Sequence, residues 1–161
     1  MLKKLTAFAL ALCLWSCGDE AEIEELKQYV KAVQQFHHYN VTVQIFIDKL
    51  GDPLAEKTQQ DITAARELLD GYAAAVNTIA DPDANTLRST HELYLRSFKE
   101  AHRLAEDRTG DLKRQAQSVR IGFSKLRTDI RGRYYPSVEV LLGRKNLDTE
   151  EYRLKWPSKE K

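Results

Sequence analysis

Histidine and amide side chains recur at helical spacing in two parts of the chain, in an arrangement that could bind a metal ion or haem. His37, Asn40 and Gln44 follow one another at steps of three and four residues, and His91 and His102 occur in a later segment. Imidazole nitrogen is a common metal ligand. Helical proteins with a two-metal centre use Glu-x-x-His pairs, however, and this sequence contains none. We therefore expect these side chains to hydrogen-bond one another or to lie at the edge of the apolar stripe, with no metal or other cofactor. A metal site would have to use His37, His91 and His102.

The neighbouring His37 and His38 are also of the residue type that serves most often in general acid–base catalysis. No serine, cysteine or carboxylate stands at a spacing that indicates a catalytic triad. We therefore predict that the chain is not an enzyme. The competing hypothesis is a helical bundle that binds a small ligand, haem or a metal ion around the histidines.

Glycine and proline mark the ends of the elements that must position these side chains. Gly51-Asp52-Pro53 and Gly110-Asp111 each combine a helix stop with an N-cap residue, Asp81-Pro82 reads as a helix start, and Pro136 ends the last long segment. These marks predict four helices, at about 20–50, 53–80, 82–108 and 111–134.

Apolar residues step by three and four along these segments, which is typical of amphipathic helices. In the first segment the pattern blurs after Val33 and resumes at Ile47. The segment 41–47 is β-branched and nearly alternating, but we assign it to a helix because no partner strand is apparent elsewhere. Four amphipathic helices with short connections predict an all-α fold, an antiparallel up-down four-helix bundle over residues 17–135.

The C-terminal tail, residues 136–161, is predicted to be short and partly helical. Asp148-Thr149-Glu150-Glu151 resembles a capping box that would open one or two helical turns. We expect the tail to pack on the bundle through Leu141, Leu142, Tyr152 and Trp156. If it does not, its apolar groups make it the segment that binds a partner.

The fourth segment is strongly basic, with seven basic residues against Asp111 and Asp129. In the predicted topology its C-terminal end lies beside the acidic start of the first helix, so that the two charges neutralise each other and suit their helix dipoles. The alternative is that Arg127, Arg131 and Arg133 contact anionic lipid headgroups or glycans close to a membrane.

A short positively charged stretch and an apolar run open the chain, at Lys3, Lys4 and Leu5–Trp15. This is the pattern of a secretory signal peptide, and the run is shorter than the roughly 20 apolar residues that span a bilayer. The stretch Leu14-Trp15-Ser16-Cys17 resembles the lipobox of bacterial lipoprotein precursors, with an aliphatic residue three positions before the cysteine and a small residue directly before it. Trp15 is bulkier than the residue usual at its position. The alternatives are Cys13 as the acceptor, although Leu12 before it is not small, and an ordinary signal peptide with an incidental cysteine.

The resemblance implies that residues 1–16 are a signal peptide cleaved between Ser16 and Cys17, and that Cys17 becomes the acylated N-terminus that inserts into the lipid bilayer. An aspartate after the cysteine would indicate retention in the inner membrane, but Gly18 stands there. We therefore expect a lipid-anchored protein of the bacterial cell envelope, in the outer membrane and facing the periplasm or the cell surface. Its folded part is expected to bind another envelope protein.

Composition excludes several other classes of function. Removal of residues 1–16 leaves 145 residues, enough for one domain with a core. They carry 23 basic and 24 acidic residues, a net charge of −1, whereas nucleic-acid binding requires a strong basic excess. No cysteine follows Cys17, so the domain has no disulfide, thiol nucleophile or cysteine-ligated metal.

Overall fold

The structure, a computed structural model, describes residues 19–106, 110–147 and 149–157. Over these ranges the chain is all-α and contains no strand, which confirms the predicted fold class. The elements are α1 (19–34), α2 (His37–Gly51), α3 (Gln59–Val76), α4 (Asn85–Ala105), α5 (Leu112–Asp129), a π-helical segment (Ile130–Tyr134), α6 (Tyr135–Arg144) and a 3-10 turn (Glu150–Tyr152).

The predicted apolar stripes form the core of the molecule. In α3 the buried residues are Ile62, Ala65, Leu69, Tyr72 and Val76, at the predicted steps of three and four. The β-branched stretch 41–47 lies within α2, where Val43, Ile47 and Leu50 are buried on one face. Its assignment to a helix is therefore confirmed.

The first predicted helix, 20–50, is interrupted where α1 gives way to α2. Gln35 donates its backbone N–H to the carbonyl of Ala32, and Phe36 donates to Val33, so the chain tightens into i to i+3 turns. Neither glycine nor proline stands at this point, and no side chain caps α2. The break therefore carries no stop residue, and only the blurred apolar pattern after Val33 coincides with it.

The predicted starts of the second and third helices are too early. Asp52 does not cap a helix, because its carboxylate accepts the N–H of Leu54 within the loop. Thr58 caps α3 instead, in a capping box with Asp61. Helix α4 begins at Asn85, not at 82, and the Glu25 carboxylate of α1 accepts the N–H groups of Asp83 and Ala84 just before it. The predicted cap at Asp111 is confirmed, since its side chain accepts from the N–H groups of Lys113 and Arg114.

Pro136 does not end the last long helix. The chain passes from α5 through the π-helical segment into α6, and Pro136 lies in the first turn of α6, where a missing N–H is tolerated. The prediction that the helix stops near 134 is therefore wrong, and a continuous helical segment extends to Arg144.

Small residues bring α4 and α5 close together. A Cβ atom built on Gly122 would lie 2.6 Å from the carbonyl oxygen of Ala101 and 3.2 Å from the Cβ of Ala105. Real Cβ atoms essentially never approach a heavy atom so closely, and Gly122 is therefore required for this contact.

The C-terminal tail packs against α1 and α2. Tyr152, Leu154 and Trp156 are buried, and the indole Nε1 of Trp156 donates to Oε1 of Gln44 at 3.2 Å. Gln34 donates to the carbonyl of Glu151 at 2.7 Å. Asp148 of the predicted capping box lies outside the described residues.

Candidate functional site

Hydrogen-bonded tyrosines occupy the interior of the molecule and come from helices distant in sequence. Their rings are buried together with Asn40 and His91. The tyrosines are Tyr29 of α1, Tyr72 of α3, Tyr94 of α4, Tyr134 of the π-helical segment and Tyr135 of α6. We call these seven residues the tyrosine network.

One half of the network is centred on Asn40. The Tyr72 hydroxyl donates to Oδ1 of Asn40 at 2.8 Å, and Nδ2 of Asn40 donates to the Tyr135 hydroxyl at 2.9 Å. Because the Tyr72 hydrogen is used in this way, Tyr94 is the donor in the 2.7 Å bond between the Tyr72 and Tyr94 hydroxyls. Asn40 therefore joins α2 to α3 and α6 inside the core.

The other half ends at His91. The Tyr134 hydroxyl donates to that of Tyr29 at 3.0 Å, and the Tyr29 hydroxyl lies 3.2 Å from Nδ1 of His91. Tyr29 therefore links Tyr134 to His91 through its hydroxyl. The two halves meet where the rings of Tyr94 and Tyr134 stack, with centroids 4.1 Å apart.

Burial sets the protonation of these groups. It raises the pKa of Tyr135 to about 12 and also raises the pKa values of Tyr29, Tyr72, Tyr94 and Tyr134 well above the usual tyrosine value. Burial also lowers the pKa of His91 below its usual value of 6.5. The network is consequently uncharged at neutral pH.

The structure does not bring the three histidine candidates together. His91 belongs to the network, whereas Nδ1 of His102 lies 3.5 Å from the Asp70 carboxylate and His37 is exposed. His91 and His102 are eleven residues, or about 16 Å, apart along α4. Among the described residues no group of three or more histidine, cysteine, aspartate or glutamate side chains is suited to a metal ion.

The other polar candidates separate as well. Asn40 belongs to the tyrosine network, whereas Oε1 of Gln44 accepts from Nε1 of Trp156 and from Nη1 of Arg127, each at 3.2 Å. These side chains therefore do not hydrogen-bond one another, but Gln44 and His102 are half-buried, which agrees with the alternative of a position at the edge of the apolar stripe. Sequence reasoning missed the pairing of Tyr29 with His91, although Tyr29 stands three residues after Leu26 and four before Val33, on the apolar stripe.

The predicted position of the basic residues beside the start of α1 is wrong. Arg127 contacts Gln44 of α2, and Tyr134, next to Arg133, contacts Tyr29, ten residues or about 15 Å along α1. The reason is that the helical segment continues past Pro136, so its far end, and not Arg131 or Arg133, reaches the first turn of α1. There Lys145 donates to the carboxylates of Asp19 and Glu22.

An exposed leucine lies at the opposite end of the molecule, in the loop between α2 and α3. Leu54 is 93% exposed. The loop around it is held by its own hydrogen bonds, since Asp52 accepts the N–H of Leu54 and the Lys57 ammonium donates to the carbonyls of Asp52 and Ala55. The apolar side chain is therefore exposed to solvent on a loop that hydrogen bonds hold in place.

No protein-family model matches this chain, and no curated protein or solved structure is significantly similar to it. Ser16 and Cys17, the predicted cleavage and lipidation positions, and the rival Cys13 lie outside the described residues. No helix of the described part is both long and apolar enough to cross a membrane.

Proposed function

We propose that this chain is a lipid-anchored module of the bacterial cell envelope that binds a protein partner and does not catalyse a reaction. The lipobox-like stretch ending at Cys17, after the signal-like segment, supports the anchor. Gly18 after the cysteine supports the outer membrane. The anchor would raise the effective concentration of the domain beside other envelope proteins.

We further propose that the helices form an antiparallel up-down four-helix bundle in which α1 and α2 act as one long segment, as do α5 and α6. Contacts between helices support this arrangement, because residues early in one helix meet residues late in the other. Tyr72 of α3 meets Tyr94 of α4, and Arg66, six residues earlier, donates to the carbonyl of Ala105, eleven residues later. Tyr134 meets Tyr29, whereas Arg127 meets Gln44.

The anchor then gives the two ends of the bundle different roles. The described part of α1 starts two residues after Cys17, so this end of the bundle would face the membrane. From there α1 and α2 run 33 residues, or about 50 Å, to Gly51. The loop that carries Leu54 therefore lies at the end of the module that points away from the lipid.

The exposed Leu54 is the observation that supports partner binding. Full burial of a leucine side chain is worth about 1.5–3 kcal/mol, and an anchor residue in a partner's pocket gains that energy. The ordering of the loop by Asp52 and Lys57 lowers the entropy lost on binding.

The anchor is tested by detergent partition of cells that express the full chain. Cys17→Ser is expected to move the protein from the detergent phase to the aqueous phase, because it removes the acceptor of the lipid. Cys13→Ser is the matched control and should leave the partition unchanged. Unchanged partition of Cys17→Ser would exclude lipidation at this residue.

The partner surface is tested by a photoreactive amino acid placed at residue 54 in the anchored protein. A discrete crosslinked adduct is expected from position 54. The control position is Val140, which is also exposed, at 54%, but lies on α6. The same adducts from both positions, or none from position 54, would contradict the proposed surface.

A further inference from the structure

A polar cavity of about 250 Å³ lies between the junction of α1 and α2, the start of α6 and the C-terminal tail. The side chains that matter for its chemistry come from three parts of the chain. They are Gln34, His37, Asn40, Tyr135, Arg153 and Lys155. Neither the partner surface at Leu54 nor the lipid anchor involves this cavity.

The wall of the cavity contains a buried hydrogen-bond donor, the hydroxyl group of Tyr135. Tyr135 is 7% exposed, and its hydroxyl oxygen accepts from Nδ2 of Asn40 at 2.9 Å. The hydroxyl hydrogen has no acceptor among the residues the structure describes. The Oδ1 atom of Asn40 is a poor acceptor for this hydrogen, because it already accepts a hydrogen bond from the Tyr72 hydroxyl. A ligand oxygen in the cavity would accept a hydrogen bond from the Tyr135 hydroxyl.

The charges around the cavity favour an anion. Arg153 and Lys155 both donate to the Glu150 carboxylate, which also lines the cavity, so the three side chains leave one net positive charge. His37 is exposed and forms no ion pair with another described residue.

We propose that this cavity binds a small carboxylate, which accepts from the Tyr135 hydroxyl and is balanced by Arg153 and Lys155. A volume of 250 Å³ lies just below the range of about 300–1,000 Å³ for sites of drug-sized ligands. The ligand is therefore smaller than a drug-sized molecule, and this inference is independent of the anchor and of the partner.

The proposal is tested by titrating the full chain in detergent with acetate and succinate, and with acetamide as the uncharged counterpart of acetate. At least one carboxylate is expected to bind, and acetamide is expected not to bind. Tyr135→Phe should weaken carboxylate binding by about tenfold or more, because a hydrogen bond to a charged group is lost. Tyr39→Phe, a nearby tyrosine that does not line the cavity, should leave the affinity unchanged.

A second variant guards against misfolding of Tyr135→Phe. Arg153→Gln combined with Lys155→Gln changes only tail residues, and it should weaken carboxylate binding while the helical content stays the same. Absence of binding by any carboxylate, equal binding of acetamide, or unchanged affinity in this double variant would overturn the proposal.

Discussion

At the scale of single residues, the hydrogen bonds of the tyrosine network favour one packing of the core over others. A buried hydroxyl without a partner costs about 1–3 kcal/mol, whereas a paired one contributes modestly to stability. Tyr72 illustrates this, because its hydroxyl has Asn40 on one side and Tyr94 on the other. Among the described residues no buried side-chain nitrogen or oxygen lacks a partner. An alternative packing would lose several of these bonds at once.

We predict that Tyr72→Phe lowers the free energy of unfolding by about 1–3 kcal/mol, because it deprives Asn40 and Tyr94 of their shared partner. Urea denaturation followed by circular dichroism measures the change. The control is Tyr39→Phe, whose ring stacks on Tyr72 at 4.7 Å but whose hydroxyl forms no hydrogen bond to a described residue. Both substitutions keep the ring and remove only a hydroxyl, so equal losses in the two variants would contradict the role assigned to the hydrogen bonds of Tyr72.

At the scale of elements, two features set how the helices meet. The π-helical segment joins α5 to α6, and the neighbouring Tyr134 and Tyr135 at this junction are both buried. Gly122 allows α5 to approach the backbone of α4.

We predict that Gly122→Ala destabilises the fold by about 1–3 kcal/mol, because the added methyl group forces α4 and α5 apart. Thermal unfolding of the variant is the measurement. Gly71→Ala is the matched control within α3, where nothing lies within 4 Å of the added Cβ. It should stabilise the protein by about 0.5–1 kcal/mol, since alanine is the better helix former. A loss in Gly71→Ala as large as in Gly122→Ala would contradict this explanation.

The helical class, most of the stripes and the Asp111 cap could be predicted from sequence, because each depends on neighbours within a few residues. The start of α3 could not, since Asp52 and Thr58 are both good N-cap residues and the local pattern does not choose between them. The tyrosine network escaped prediction for a different reason. Its bonds join residues as far apart as Tyr29 and Tyr134, and depend on the register between helices.

At the scale of the whole molecule, stability depends on packing and on this polar interior, since no cysteine follows Cys17 to form a disulfide. The buried phenols also link the fold to pH. A phenol whose pKa is higher in the folded than in the unfolded chain stabilises the fold fully below about pH 10. That contribution is lost as the pH rises further, because the unfolded chain releases the proton first.

We therefore predict that the protein unfolds cooperatively in alkali and that the buried tyrosines ionise in the same step. They are Tyr29, Tyr72, Tyr94, Tyr134 and Tyr135. Tyrosinate absorbance and circular dichroism, recorded together above about pH 10, should show one shared transition. In urea the same residues should titrate smoothly, and complete ionisation with full helicity retained would contradict the prediction.

The contact between Trp156 and Gln44 gives the protein an optical property of its own. The chain contains two tryptophans, and the other, Trp15, belongs to the segment proposed to be removed on export. In the processed protein all indole fluorescence then comes from Trp156 in the tail, a residue that is 9% exposed and donates to Gln44. Emission shifts to longer wavelength as an indole enters water, so release of the tail is visible without any added label.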